Sequence, residues 1–265
     1  MPQIYAGVLR SSLIAGIIAM LVPVADTALG QTFIACEPYG GKGDVKAFLE
    51  NELRFPPEDL ARDVKGESVL IFTVTREGKV TDLRVWRSLT PECDREALRL
   101  AALVRWHPGL MSGVPVDAEH YLKVPFNARR YHKQHAAGVR CPAEADRPPA
   151  DPDPGIHSYA DLDTNAAPII PGGLAGIDRY FAENMTYPPD AAKRDIQGVV
   201  ELEFVVERSG NVSNLWAVRD LGGGCGEEAK KVIRSICWTP DVKNGLRVRS
   251  VLRVTLTFKL VTRTH

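Results

Sequence analysis

The chain lacks the signatures of the common catalytic sites. It contains no G-x-S-x-G nucleophile elbow and no H-E-x-x-H zinc motif, so nothing marks it as a serine hydrolase or a zinc protease. It also lacks a basic surplus, because Lys and Arg number 33 and Asp and Glu number 33. Proteins that bind nucleic acid usually have such a surplus. We therefore expect a protein that is not an enzyme and that binds no nucleic acid, metal, cofactor or small-molecule substrate.

Long apolar runs are absent except near the N-terminus, at residues 13–22. Arg10 precedes this run, and residues 28–30 have the small-x-small form of a signal-peptide cleavage site. Asp26 ends the apolar stretch well short of the roughly 20 residues that a membrane-spanning helix needs. We predict that residues 1–30 are a cleaved export signal, and an uncleaved membrane anchor is the alternative.

What the chain does contain is an internal repeat. Residues 39–127 align with residues 171–259 without a gap. A repeat of this length is too long for a solenoid unit, so the chain holds two copies of one small domain. The shared positions are mostly Gly, Pro, Trp and Cys, which fix turns and core packing. We expect structural roles for Trp106 and Pro108 in the first copy and for Gly198, Gly210, Trp238, Pro240 and Phe258 in the second.

The hydrophobic pattern predicts the fold class. In the second copy it predicts strands near residues 200–207, 212–219 and 248–260, short helices near 176–184 and 189–196, and a longer helix near 225–236. In the first copy it predicts strands near residues 67–75, 79–88 and 116–127 and a helix near 94–104. This order predicts an α+β fold, in which each copy is a two-layer domain with a three-stranded antiparallel sheet and helices on one face.

The repeat also sets the predicted domain boundaries, residues 39–127 for the first copy and 171–261 for the second. Between them, residues 128–170 are rich in Pro, Asp and Ala, a composition typical of an extended, poorly packed linker. We expect the two domains to fold separately, with a flexible relative orientation.

Cysteine is scarce, and its count of five is odd for an exported chain. Cys93 and Cys225 occupy equivalent positions, which favours buried apolar packing. Cys225 and Cys237 would lie about 18 Å apart along one helix, too far for a disulfide bond. Cys36 and Cys141 flank the first copy and are the one pair that we consider for a bond.

A stripe of arginines marks the last predicted strand, where Arg247, Arg249 and Arg253 share one face. If this strand lies at the edge of the sheet, the positive charges could prevent unwanted pairing. They could equally attract an acidic extended peptide that adds as a further strand. A third interpretation is that they pair with the glutamates of residues 201–207 on a neighbouring strand.

Several motifs of the second copy recur at fixed spacing in a known family. They are Pro171-Gly172-Gly173, Tyr180-Phe181-x-x-Asn184, Tyr187-Pro188, Gly198, Gly210, Trp238-x-Pro240 and the closing Val254-x-Leu256-x-Phe258. The pattern resembles the TonB C-terminal domain, in the form found in energy-transducer TonB proteins of Bacteroidetes-type bacteria. The first copy resembles it more loosely, which implies two tandem domains of this family.

The resemblance implies a location and a mechanism. TonB domains lie in the periplasm and bind an extended segment of an outer-membrane receptor, which joins the domain's sheet as an added strand. An inner-membrane motor complex supplies the pull for energy-dependent transport. The resemblance implies these partner-binding residues: Thr186, Tyr187, Pro188, Arg247, Arg249, Arg253, Val254 and Leu256. A secreted or periplasmic scaffold that keeps the fold without energy transduction is the alternative.

Overall fold

The structure is a computed structural model, which describes residues 32–136, 141, 147–158 and 162–260. The predicted export signal lies outside these ranges. Within them, no helix is both long enough and apolar enough to cross a membrane.

The first copy contains most of the N-terminal half of the described chain. Its elements are β1 (Phe33–Ile34), β2 (Glu37–Pro38), α1 (Gly41–Glu52), α2 (Pro57–Ala61), β3 (Lys65–Val74), β4 (Val80–Arg87), α3 (Pro91–Ala101), β5 (Trp106–His107), β6 (Gly109–Met111), β7 (Val114–Val116), β8 (Ala118–Asn127) and α4 (Ala128–Ala136).

The second copy follows a connector that itself contributes a short strand. Its elements are β9 (Ile156–His157), β10 (Ala167–Pro168), a 3₁₀ turn (Gly173–Gly176), α5 (Ile177–Asn184), α6 (Pro189–Lys193), β11 (Gly198–Val206), β12 (Val212–Arg219), α7 (Cys225–Ser235), β13 (Trp238–Thr239), β14 (Val242–Lys243), β15 (Leu246–Arg247) and β16 (Arg249–Phe258).

Each copy builds an antiparallel sheet from three long strands in the same order. The first sheet runs β4-β3-β8 and the second runs β12-β11-β16, with the short β9 added beyond β16. Successive side chains of a strand point to opposite faces, and one face of each sheet packs with its helices into a separate apolar core. The predicted α+β fold with two tandem domains is confirmed.

The same contacts recur in both cores. The Trp106 ring lies 5.2 Å from the ring of Phe72, and the equivalent Trp238 ring lies 5.1 Å from that of Phe204. Both tryptophans are almost fully buried. A buried aromatic side chain of this size contributes a large apolar area to each core, so the two tryptophans have equivalent structural roles in the two copies.

A glycine approaches each tryptophan from the hairpin that joins the first two long strands. Gly78 and Gly210 have positive φ angles of 77° and 86°, a region that glycine enters without strain. A Cβ atom at Gly210 would lie 2.3 Å from the carbonyl oxygen of Trp238, and one at Gly78 would lie 2.5 Å from that of Trp106. The repeat therefore keeps glycine here for two physical reasons, the turn and the close approach.

The two copies pack against each other through polar contacts. The side chain of Asn214 on β12 donates to the carbonyl oxygen of Leu103 at 3.2 Å and accepts from the N–H of Arg105 at 2.7 Å. Asp44 of α1 forms an ion pair with Arg234 of α7. The described parts of both copies and the connector form one compact unit. The expected flexible relative orientation is therefore not what the structure shows.

The connector is also packed where the structure describes it. β9 lies parallel to β16, and the side chain of Arg247 donates to the carbonyl oxygen of Pro148 at 2.6 Å. The side chain of Arg208 donates to the carbonyl oxygen of Asp151. A proline-rich extended chain has carbonyl oxygens without matching N–H donors, and these two arginines supply the donors. The predicted linker of residues 128–170 is therefore not poorly packed where the structure describes it, and it is not extended throughout, because its first nine residues form α4.

The disulfide bond joins Cys141 to Cys237, with 5.3 Å between their Cα atoms. The pair considered from the sequence, Cys36 with Cys141, is therefore wrong. Cys36 is a free, buried thiol, as are Cys93 and Cys225. Composition predicted an unpacked connector, and an unpacked connector gives no reason to place Cys141 beside Cys237, two residues beyond the end of α7.

Candidate functional site

The outer edge of β16 is partly occupied by the chain's own connector. β16 pairs with β11 on one side, and β9 lies parallel to its first two residues on the other side. Just before them, the N–H of Arg247 donates to the carbonyl oxygen of Pro149 at 2.8 Å, and the carbonyl oxygen of Arg247 accepts from the N–H of Asp151 at 2.9 Å. We call residues 147–157 the strap.

Beyond the strap, residues 251–258 have no strand on their outer side in the part of the chain that the structure describes. The N–H groups of successive residues in a strand point to alternate sides. Since the N–H of Arg247 points to the strap, those of Arg253, Thr255 and Thr257 point to the same open side. Such unpaired donors are what an added strand binds.

Arg249 is not available to a partner in this conformation, because its side chain is only 2% exposed. Its guanidinium group donates to both carboxylate oxygens of Glu207 at 2.8 Å. It also donates to the carbonyl oxygen of Leu103 in the first copy at 2.8 Å and to that of Pro154 in the strap at 2.7 Å. Arg249 therefore links both copies and the strap at one point.

Arg253 is more than half exposed and pairs with glutamates on β11. Its Nε atom lies 2.9 Å from Glu203, and its Nη1 atom lies 3.6 Å from Glu201. Burial raises the pKa of Glu203, but hydrogen bonds from Arg105 and Arg253 outweigh burial and hold that pKa below its ordinary value. The cross-strand pairing of arginines and glutamates is thus the interpretation that the geometry supports for Arg249 and Arg253.

Arg247 lies at the start of the same edge, where its backbone and side chain both bind the strap. Burial and the nearby positive charges of Arg147 and Arg54 lower the pKa of Arg247. Its side chain also donates to the carbonyl oxygen of Arg208. A partner that used Arg247 would first have to displace the strap.

Val254 and Leu256 present neither their side chains nor their N–H groups to the open edge, since by the same alternation these N–H groups point to β11. Val254 is 8% exposed and Leu256 is fully buried, because both face the core of the second copy. Their predicted role in partner binding therefore rests on the strand that they help to form.

Thr186, Tyr187 and Pro188 lie together at the far end of β16. The Tyr187 ring packs edge-on against Phe258 with 5.7 Å between ring centroids. The backbone N–H of Thr186 donates to Glu228 at 2.7 Å, and the side chain of Thr186 is exposed. Tyr187 thus contacts the last residue of β16, and the partner-binding role of Thr186, Tyr187 and Pro188 stays a prediction.

The strap was missed as part of this site. Sequence composition predicted a solvated linker. The one signal in the sequence was the pair of arginines at positions 208 and 247, whose donors need carboxylate or carbonyl oxygens beside the strand. The equivalent edge of the first copy, along β8, was missed as well. β8 pairs with β3 alone among the described strands.

Comparison with known proteins agrees with the repeat. The family model described as Gram-negative bacterial TonB protein C-terminal matches residues 51–128 and again residues 183–260, which together make up more than half of the chain. No curated protein matches the chain. The NMR solution structure of Helicobacter pylori TonB-CTD (residues 179–285) is similar at 18% identity, over 32% of this chain and 78% of that one, with a TM-score of 0.25. The chain belongs to the TonB C-terminal family and contains two tandem copies of its domain.

Proposed function

We propose that this chain is a periplasmic TonB-family protein that binds extended segments of outer-membrane receptors by strand addition and so takes part in energy-dependent transport across the outer membrane. The segment would add to β16 along residues 251–258, with Thr186 and Tyr187 near its far end. Main-chain hydrogen bonds would hold the segment, and its alternate side chains would set specificity.

The strap is the observation that supports this proposal most strongly. It is an extended segment that already lies along the same edge, in parallel orientation. Its backbone exchanges hydrogen bonds with Arg247 in both directions. An edge that accepts one extended segment within the molecule has the geometry to accept a second where the first one ends.

A scaffold that keeps the fold without energy transduction is the second candidate. The observation in its favour is that the first copy covers the opposite edge of the same sheet. α1 packs along β12, and Glu52 accepts hydrogen bonds from Ser209 and Asn211 near the start of that strand. A sheet closed on one edge and partly strapped on the other has less free surface for partners than an isolated domain.

Replacing Thr255 with proline is expected to weaken binding of a receptor segment by about tenfold or more, since it removes one outward N–H donor and the strand around it. The probe is a synthetic N-terminal peptide of an outer-membrane receptor from the same organism. Binding is measured by NMR titration of the isotope-labelled full chain, which also shows whether the shifts fall on residues 251–258. The Thr255 side chain is exposed, so the core is left in place.

Thr255→Val is the matched control, because it keeps the N–H and a β-branched side chain. We expect it to change affinity by less than about twofold. Circular dichroism checks that the proline variant is folded. Shifts of the unmodified chain that fall away from residues 251–258 would contradict the assigned edge even if the variant does not fold. No shifts at millimolar peptide would favour the scaffold.

A further inference from the structure

A cavity of about 400 Å³ lies where the two copies and the strap meet. Arg54, which precedes α2, and Arg99 of α3 line it from the first copy, and Arg208 lines it from the hairpin between β11 and β12. The strap contributes another wall, which includes Asp151. We call this space the junction cavity. Its volume lies in the range of small-molecule sites, and neither copy alone would form it.

The charged lining of the junction cavity is mainly basic. Its three arginines face a single lining carboxylate, that of Asp151. Arg99 is neutralised by Glu96, whose two carboxylate oxygens accept from its Nε and Nη2 atoms at 2.7 Å. Among the described residues, Arg54 and Arg208 form no ion pair. The cavity therefore holds two guanidinium charges that no carboxylate neutralises.

Both of these arginines keep unused hydrogen-bond donors. The Nη1 atom of Arg208 donates to the carbonyl oxygens of Asp151 and Asp153, whereas its Nε and Nη2 atoms have no hydrogen-bond partner within the described ranges. The same holds for the whole guanidinium group of Arg54, of which only the backbone N–H donates, to Glu96 at 2.6 Å. Arginine has five side-chain N–H donors. Arg54 is exposed and Arg208 is half-buried, so a ligand can reach both from solvent.

The positive charges around the cavity repel one another. Burial lowers the pKa of Arg208 in spite of the nearby carboxylate of Glu207. The positive charges of Arg249, Arg54 and Arg99 lower that pKa further. Like charges disfavour the charged form of a group, and a bound anion would relieve this repulsion.

The basic region continues behind the cavity, and Arg54 lies within electrostatic reach of all of it. Its positive charge lowers the pKa of Arg208 and also that of Arg247. The side chains of Arg147 and Arg247 bind carbonyl oxygens alone in the described part of the chain. Carbonyl oxygens are neutral, so they satisfy donors without cancelling charge. The neutral overall composition of the chain conceals this local surplus.

The number of free donors indicates the class of anion. A carboxylate has one charge and two oxygens, which suit one guanidinium group, whereas a phosphate group has more charge and at least three acceptor oxygens, which suit two. We propose that the junction cavity binds the phosphate group of a phosphorylated ligand between Arg54 and Arg208. This site is separate from the open edge of β16 and does not depend on strand addition.

The test is isothermal titration calorimetry of the full chain with pyrophosphate. Acetate at the same ionic strength is the control anion, because it carries a single carboxylate. We expect pyrophosphate to bind and acetate to bind at least about tenfold more weakly. Equal affinities would contradict a phosphate site.

Arg54→Gln is expected to weaken pyrophosphate binding by about tenfold or more, since it removes one of the two unneutralised charges. Arg54 is the better position to change, because Arg208 also holds the strap. The matched control is Arg219→Gln, which removes the same charge from an exposed position outside the cavity and should change affinity less than about twofold. Circular dichroism checks that both variants are folded. Equal losses in the two variants would overturn the proposal.

Asp151→Asn should have the opposite effect and strengthen pyrophosphate binding by about threefold or more, because it removes the one carboxylate that lines the cavity. The carboxylate of Asp151 accepts from the N–H of Asp153 at 2.9 Å, and the amide oxygen of asparagine can accept the same bond. The strap should therefore stay in place. An unchanged or weaker affinity would show that the anion does not lie beside Asp151, and the proposed site would be wrong.

A second arm distinguishes a soluble phosphorylated ligand from a lipid headgroup, since both present the same phosphate chemistry. The full chain and Arg54→Gln are sedimented with vesicles of phosphatidylglycerol. Pyrophosphate binding without sedimentation supports the proposal with a soluble ligand. Sedimentation that Arg54→Gln abolishes supports it with a lipid headgroup. If pyrophosphate does not bind and no sedimentation depends on Arg54, the junction cavity is not a phosphate site.

Discussion

Replacing Arg249 with alanine is expected to lower the free energy of unfolding by about 3–5 kcal/mol, the usual cost of removing one partner from a buried ion pair. Arg249 and Glu207 are each only 2% exposed. Without the guanidinium group, Glu207 would keep a buried charge with no cationic partner at this point. The carbonyl oxygens of Leu103 and Pro154 would also lose a donor each. The loss therefore combines an uncompensated charge with a missing donor at two acceptors, although the carbonyl oxygen of Leu103 keeps its hydrogen bond from Asn214.

Arg253→Ala is the matched control, because it removes the same side chain from the same strand. Arg253 is 58% exposed, and Glu203 keeps its hydrogen bond from Arg105. We expect a loss below about 1 kcal/mol, as for other exposed ion pairs. Both variants are measured by urea unfolding of the full chain, followed by tryptophan fluorescence. Losses of similar size would show that Arg249 is not buried in solution as it is here.

These two arginines also show how far the sequence could predict the site. The alternating pattern predicted one face for Arg247, Arg249 and Arg253, and the structure places Arg249 and Arg253 in β16, whereas Arg247 belongs to the separate short strand β15. Which of them is buried depends on Leu103 and the strap, which lie far away in sequence. No local pattern contains that information, so the sequence alone could not tell which of the three arginines is buried.

The boundaries of α3 give a local example. The apolar pattern predicted a helix near residues 94–104, whereas α3 is Pro91–Ala101. Thr90 caps it by accepting from the N–H of Cys93 at 3.1 Å, and Pro91 occupies the first turn. Threonine followed by proline is a recognised helix start. This start signal was present in the sequence. The prediction relied on apolar periodicity alone and therefore placed the helix three residues too far along the chain.

The family and the fold class were predictable for a different reason. Glycines with positive φ, such as Gly210, and buried tryptophans, such as Trp238, are fixed by turn geometry and core volume. Such positions tolerate little change, so they appear in both copies. Surface residues such as Lys42 and Lys46 are under no such constraint. They differ between the copies, so a comparison of the two copies identifies the shared core and turn positions but not these surface residues.

The second large effect is expected from the disulfide bond between Cys141 and Cys237. The bond closes a loop with a sequence separation of 96 residues, and cross-links of this kind usually stabilise a protein by about 2–4 kcal/mol, chiefly by restricting the unfolded chain. The double variant Cys141→Ser, Cys237→Ser should therefore lose about that much free energy of unfolding. A reducing agent added to the unmodified chain should produce a loss of similar size.

Cys36→Ala is the control for this prediction, because it removes a buried thiol that is free. We expect it to cost about 1 kcal/mol, as for a typical buried substitution, and to leave the response to reducing agent intact. Thiol labelling of the unfolded, unreduced chain tests the pairing directly, since only Cys36, Cys93 and Cys225 should react. Labelling of Cys141 or Cys237 would contradict the bond. A stable double variant with an intact bond in the parent would instead mean that packing of the strap on β16 already restricts the chain as much as the cross-link does.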